Sequence, residues 1–197
     1  MQERVDSRIL PFYIVCEESA SMGPNGGIDA LNRGMSSIYE GLCSNLFIID
    51  KCRIGIIAFS DIAEELLPLT NLLDVQAMPG IVAKGKTNYG EAFNLLREVI
   101  ARDVANLESQ GLQIYRPSVF FITCSEPTDD WEASHRALTD IEVNPQAPNI
   151  IGYGVAAANP AVIEKIATQG AFIAGKEDSD VYTIVSNWIK NPINYTT

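Results

Sequence analysis

The chain of 197 residues carries 25 Asp and Glu against 14 Lys and Arg and one His, a formal net charge of −11. No Lys/Arg cluster is present to hold a phosphate backbone, and an acidic chain has no attraction for an anionic bilayer, so nucleic acid and membrane surfaces are excluded as partners. With 47% hydrophobic residues, the composition is that of a folded α/β domain with one sizeable core, and a single domain over 1–197 is expected.

Ile9 to Cys16 (ILPFYIVC) is a nearly unbroken apolar run, which predicts a strand covered on both faces of a parallel sheet. It ends in Glu17-Glu18-Ser19-Ala20-Ser21, with Gly23, Pro24, Gly26 and Gly27 close behind. Ile28, Leu31, Met35, Ile38, Leu42 and Leu46 then recur every three or four residues, the spacing of one buried helix face. Arg53–Phe59 and Glu64–Leu69 predict a hairpin about Ser60-Asp61; Glu64, Glu65 and Pro68 mark its second strand as an edge. After a Gly/Lys-rich loop, Tyr89, Phe93, Leu96, Ile100, Val104 and Leu107 predict a second amphipathic helix. Ser118–Thr123 is another buried strand. A short helix from about Asp130 to Ile141, a strand Ile150–Val155, a helix Pro160–Thr168 with proline in its first turn, and a short strand Ala171–Ala174 follow. Val181, Ile184, Val185, Trp188 and Ile189 predict a last helix, with a frayed tail over 191–197. Strands alternating with helices indicate a three-layer α/β fold: about six strands, mostly parallel, one antiparallel edge, helices on both faces.

Cys16, Cys43, Cys52 and Cys124 lie far apart, without CxxC pairing or zinc-ligand spacing, and read as reduced thiols, mostly buried. His135 stands in a polar stretch and reads as a surface residue. The charged start MQERVDSR lacks the apolar core of a signal peptide, and no run approaches the roughly 18–20 residues of a membrane span. A cytoplasmic protein is expected.

In an open α/β sheet the functional loops lie at the carboxyl ends of the strands. Three polar loops fall there: Glu17–Ser21, Lys84–Gly90 and Cys124–Asp130. A carboxylate with several hydroxyls and a third-loop acid can build the oxygen cage that hard cations such as Mg²⁺ prefer. The three stretches together resemble the von Willebrand factor type A domain and its metal-ion-dependent adhesion site. Glu17-Glu18-Ser19-Ala20-Ser21 stands in the place of that family's Asp-x-Ser-x-Ser. Thr87, in Gly85-Lys86-Thr87-Asn88-Tyr89-Gly90, stands in the place of its threonine. Thr123-Cys124-Ser125-Glu126-Pro127-Thr128-Asp129-Asp130 aligns with its aspartate-bearing third loop, and is most similar to the bacterial cytoplasmic branch associated with tellurite resistance. The resemblance covers about residues 8–190. It implies a non-enzymatic protein-interaction module whose partner is another protein.

Two departures bear on the site. Glu17 is one methylene longer than the family's aspartate, and near-octahedral Mg²⁺ tolerates a displaced ligand poorly. Cys124 replaces the third-loop aspartate, and a neutral thiol is a soft, poor partner for a hard cation. The expectation is a degenerate site (Glu17, Ser19, Ser21, Thr87, Cys124) holding Mg²⁺ or Mn²⁺ weakly or not at all. Ser19, Ser21 and Thr87 could equally serve as caps and turn closers.

Glu18, Tyr89, Glu126, Asp129 and Asp130 are expected on the partner-binding face, with Tyr89 either an aromatic anchor there or a core residue. Glu126, Asp129 and Asp130 also suit capping of the helix that follows them. The alternatives are a working metal-dependent adhesion site and, from another class, a small hydrolase or phosphotransfer enzyme using the same loops. The latter lacks both GxGxxG and GxxxxGK[ST], and no histidine motif pairs with Cys124.

Overall fold

The computed structural model describes residues 8–23, 27–174 and 184–185. Strand β1 (Leu10–Glu17) is buried at all eight positions, as its apolar run demands. Its side chains alternate between two cores. Leu10, Phe12, Ile14 and Cys16 face helix α1 (Gly27–Cys43), while Tyr13 and Val15 face helix α3 (Tyr89–Ser109). Each fully buried Ile or Phe stabilises by about 1.5–3 kcal/mol. Together these outweigh any single loop hydrogen bond, so packing of β1 fixes where Glu17 emerges.

Parallel to β1 on one side runs β2 (Cys52–Phe59), and on the other β4 (Ser118–Thr123). The hairpin partner β3 (Ala63–Asn71) is antiparallel to β2 and forms one edge. Two β3 residues, Pro68 and Leu69, oppose Gly55 alone, because the register passes from Ile54↔Thr70 to Ile56↔Leu67. Proline, which has no amide to donate, is tolerated in such a bulge. Beyond β4 lie β5 (Asn149–Gly154) and β6 (Gly170–Ile173), giving the order β3-β2-β1-β4-β5-β6. The expected mostly parallel sheet with one antiparallel edge is the one observed. The chain winds outward from β1 in both directions, so β1 and β4 flank a topological switch point.

Differences from the expected elements are local. The first long helix stops at Cys43, and a separate turn of helix, α2 (Leu46–Ile49), follows, with Ile48 and Ile49 donating to the Asn45 carbonyl. Leu46, expected on the buried stripe, is therefore 82% exposed. Helix α4 spans only Glu132–Thr139, leaving Ile141 in an exposed turn. Helix α5 (Pro160–Ile166) begins as its proline suggests, with Asn159 Oδ1 accepting from the Ala161 amide at 3.0 Å. His135 is half-buried rather than on the surface. A ring nitrogen lies 2.9 Å from the Ile166 carbonyl, and the ring meets Phe93 and Trp131 edge-on. The last helix and the tail lie outside the described residues except Ile184 and Val185, which are buried in the α1-side core. Among the described residues no helix is long and apolar enough to cross a membrane.

Candidate functional site

Glu17 is the last residue of β1, and Thr123 is the last of β4 beside it. Two backbone bonds fasten the loop after β1 to the loop before α3: Lys84 N–H donates to the Glu18 carbonyl at 2.7 Å, and Ala20 N–H to the Gly85 carbonyl at 3.0 Å. Gly85 has φ +67, and a Cβ there would lie 2.5 Å from Asp61 Oδ2, so both conformation and space call for glycine. The loop after β4 joins the same assembly through Thr128 N–H, which donates to the Thr87 carbonyl at 2.8 Å.

These loops bring Glu17, Ser19, Ser21, Thr87 and Cys124 together, with the Glu17 carboxylate in the middle. Its Oε1 accepts from Ser19 and Ser125 hydroxyls, from Thr87 Oγ1 at 3.2 Å, and from Ser21 Oγ and Cys124 Sγ at 3.5 Å. Its Oε2 accepts from the Thr123 hydroxyl, from the Cys124 amide at 2.9 Å and from the Ser125 amide at 3.3 Å. Burial alone would push this carboxyl up; the bonds from Ser125, Ser19, Thr123 and the Cys124 amide outweigh it and hold it below the usual carboxylate range. Glu17, Ser19, Thr87 and Thr123 are all buried, while Ser21 is exposed and Ser125 half-buried at the mouth.

Cys124 is 6% exposed. Burial, with the neighbouring Glu17 charge, raises its thiol above the ordinary range. It also lines, with Ser21, one wall of a mainly apolar cavity of about 560 Å³ between α1 and the ends of β4 and β5.

The residues expected on the partner face separate into two groups. Glu126 and Asp130 are exposed on the third loop; Glu126 accepts from Asn159 Nδ2 at 2.6 Å, tying that loop to the start of α5. Glu18 is instead buried, 3% exposed, with Oε1 forming an ion pair at 3.1 Å, without hydrogen-bond geometry, to the half-exposed Lys84 Nζ. Tyr89 is fully buried, which is the core alternative of the two expected for it. Its ring packs among Phe59, Phe93, Phe121 and Trp131, and its Oη lies 2.7 Å from Thr123 Oγ1 and 2.8 Å from the Ser125 carbonyl. Asp129 caps a helix, but the earlier one: its carboxylate accepts from the Tyr89 amide at 2.9 Å and the Gly90 amide at 2.7 Å. With Glu17 and Glu18 inside, the rim is mixed in charge, with Lys84 and Lys86 exposed beside the acids.

Thr123 and Ser125, outside the motif positions, are further partners of Glu17. A lone hydroxyl ending the apolar run of β4 was the available signal. The register sets Cys16 opposite Ile122, which brings the next pair, Glu17 and Thr123, to the same edge.

A hard divalent cation favours several anionic oxygens at fixed distances. Here the hydroxyls converge on a single carboxylate, and the other family acid position is a neutral thiol. Among the described residues no group of three or more His, Cys, Asp or Glu is placed to hold a metal. A thiol nucleophile would need a base, yet Glu17, 3.5 Å from Cys124 Sγ, is a weak one, and His135 is engaged with Ile166.

The sequence model of the von Willebrand factor type A domain matches residues 12–126. No curated protein matches the chain in sequence. Among solved structures, BatB from Bacteroides thetaiotaomicron is similar with a TM-score of 0.64 at 17% identity, covering 94% of this chain and 99% of that one. The pilus adhesin SpaC from Lactobacillus rhamnosus GG gives 0.69 at 12% identity, covering 99% of this chain and 32% of that one. Proximal thread matrix protein 1 from the mussel byssus gives 0.58 at 15% identity, over 96% of this chain and 46% of its own. The chain thus spans less than half the length of the byssus and pilus proteins, and at these identities the likeness is one of fold.

Proposed function

The chain belongs to the von Willebrand factor type A domain family, and from that premise we propose that it is a non-catalytic protein-binding module whose recognition face is the three-loop cluster. The observation that carries this reading is the convergence of three distant loops on Glu17, with hydroxyls and acids left at the mouth. Ser21, Glu126, Thr128 and Asp130 are exposed there. The residues present do not fit a hard divalent cation, since one buried carboxylate already accepts from the hydroxyls that would ligate it. The site is therefore degenerate as a metal centre, and recognition rests on direct contacts to a partner with basic or hydroxyl groups opposite Glu126 and Asp130. The Thr123–Asp130 stretch supports placement in the tellurite-resistance-associated branch. Four unpaired cysteines support a reducing, cytoplasmic setting.

The test is capture of partners on the immobilised chain in EDTA, in Mg²⁺ and over a salt series. Binding should survive EDTA, weaken as salt screens the rim charges beyond about 8–10 Å, and fall with Glu126→Lys and Asp130→Lys. Binding abolished by EDTA and restored by Mg²⁺ would return the face to metal-dependent adhesion. Rapid alkylation of Cys124 at neutral pH, with turnover of an ester or phosphoester lost in Cys124→Ser, would favour the enzyme reading.

A further inference from the structure

We infer that Glu17 is a built-in replacement for an exchangeable ion: its carboxylate fills the centre of the hydroxyl shell and holds the three loops together, so the face is assembled without metal. The inference rests on reading that face as the recognition surface, but it is measured independently of any partner.

Hydroxyls that ligate a cation turn oxygen lone pairs toward it. Glu17 is an acceptor at the centre of the same hydroxyls, so its carboxylate competes with a cation for them. Ser19 and Ser21 come from the first loop, Thr87 from the second, Thr123 and Ser125 from the end of β4 and the loop after it. All have hydrogen-bond contact with one side chain, and two amides of the third loop complete it. Cys124 fits the same logic: its sulfur lies 3.5 Å from Glu17 Oε1, where the family's aspartate would set a second negative charge against the first with no cation between them. The two departures from the family pattern compensate each other.

The experiment is thermal unfolding of the full chain in EDTA and in millimolar Mg²⁺, for the wild type, Glu17→Gln, Ser125→Ala, Cys124→Asp and the pair Glu17→Asp with Cys124→Asp. The wild-type midpoint should be the same in both buffers. Glu17→Gln should lower it by roughly 5 °C or more in both, through loss of the charge-assisted bonds. Ser125→Ala, half-buried and tolerant of truncation, should lower it less and equally in both, which keeps the test readable if Glu17→Gln does not fold. Cys124→Asp alone should be destabilised in EDTA, and the double variant should gain a midpoint that rises with Mg²⁺. A wild-type midpoint that rises with Mg²⁺ and no longer does so in Glu17→Gln would make Glu17 an ordinary ligand and overturn the inference. So would a Glu17→Gln midpoint equal to wild type in EDTA. Neither result depends on partner capture: a midpoint raised by Mg²⁺ would also overturn the metal-free part of the binding proposal, whereas loss of partner binding with these midpoints as expected would overturn the binding proposal alone.

Discussion

Asp129 caps the helix that starts at Tyr89, accepting its amide at 2.9 Å and that of Gly90 at 2.7 Å, from a loop forty positions downstream. A carboxylate at a helix N-terminus satisfies orphan amides and meets the positive end of the helix dipole. The cap clamps the third loop onto the second.

Asp129→Ala should therefore cost about 1–2 kcal/mol in denaturant unfolding, with Asp129→Asn in between. A Cβ on Gly90 would lie 2.6 Å from Asp129 Oδ2, so Gly90→Ala should dislodge the same cap. The two changes should be less than additive in a double-mutant cycle. Full additivity would show that Asp129 acts elsewhere.

Tyr13 Oη donates to Asp103 Oδ2 at 3.0 Å in the core between β1 and α3, and Arg102 holds Asp103 Oδ1 at 2.9 Å while pairing with Glu65 on the edge strand. Burial, with the adjacent Asp103 charge, pushes the Tyr13 phenol far above its ordinary range. Asp103→Ala leaves a buried hydroxyl without its acceptor and should cost about 1–3 kcal/mol. Glu65→Gln breaks a pair whose arginine is half exposed and should cost under about 1 kcal/mol. Equal losses in chemical denaturation would show that the edge pair, not the buried bond, joins α3 to the sheet.

Stability should fall at both ends of the pH scale for opposite reasons. Burial holds His135 below its ordinary 6.5, so its contribution is complete above that value and lost as pH falls and the ring is protonated. Glu17, held below 4.5, adds a second loss only in stronger acid. Burial pushes the Cys52 thiol up to about 12, and raises Cys16 as well. These contributions are complete below the ordinary thiol value of 9.0 and lost as pH climbs toward 12. Denaturant midpoints across pH should show a slope just below neutrality that disappears in His135→Gln. A slope retained in that variant would assign it to another group.

The strands were legible because each is a short apolar run with polar punctuation: Ser118–Thr123 has the observed bounds, and β1 differs by one residue at each end. The meeting of the three loops was legible too, since α/β topology sends strand carboxyl ends to one edge. What the sequence did not disclose is which way a side chain turns when its partner lies far along the chain. Glu18 turns in beside Lys84, and Tyr89, left open between face and core, turns in to an aromatic cluster with its hydroxyl beside Thr123. Asp129 caps α3 rather than α4 because the Thr128–Thr87 bond delivers it to that end. Local propensity carries no record of such encounters.

Glu17 leaves β1 early in the chain, yet apart from Ser19 and Ser21 its acceptors are filled by donors 70 and 106 to 108 positions later. Closing loops of that length is among the slower steps of folding, and it requires β1 to have paired with β4. A polypeptide emerging from its N-terminus thus carries this carboxylate in water, with only Ser19 and Ser21 near it in sequence, until Ser125 has been synthesised and β4 has docked. An unfinished or truncated chain cannot display the three-loop surface, so a partner that recognises it selects for molecules whose assembly is complete.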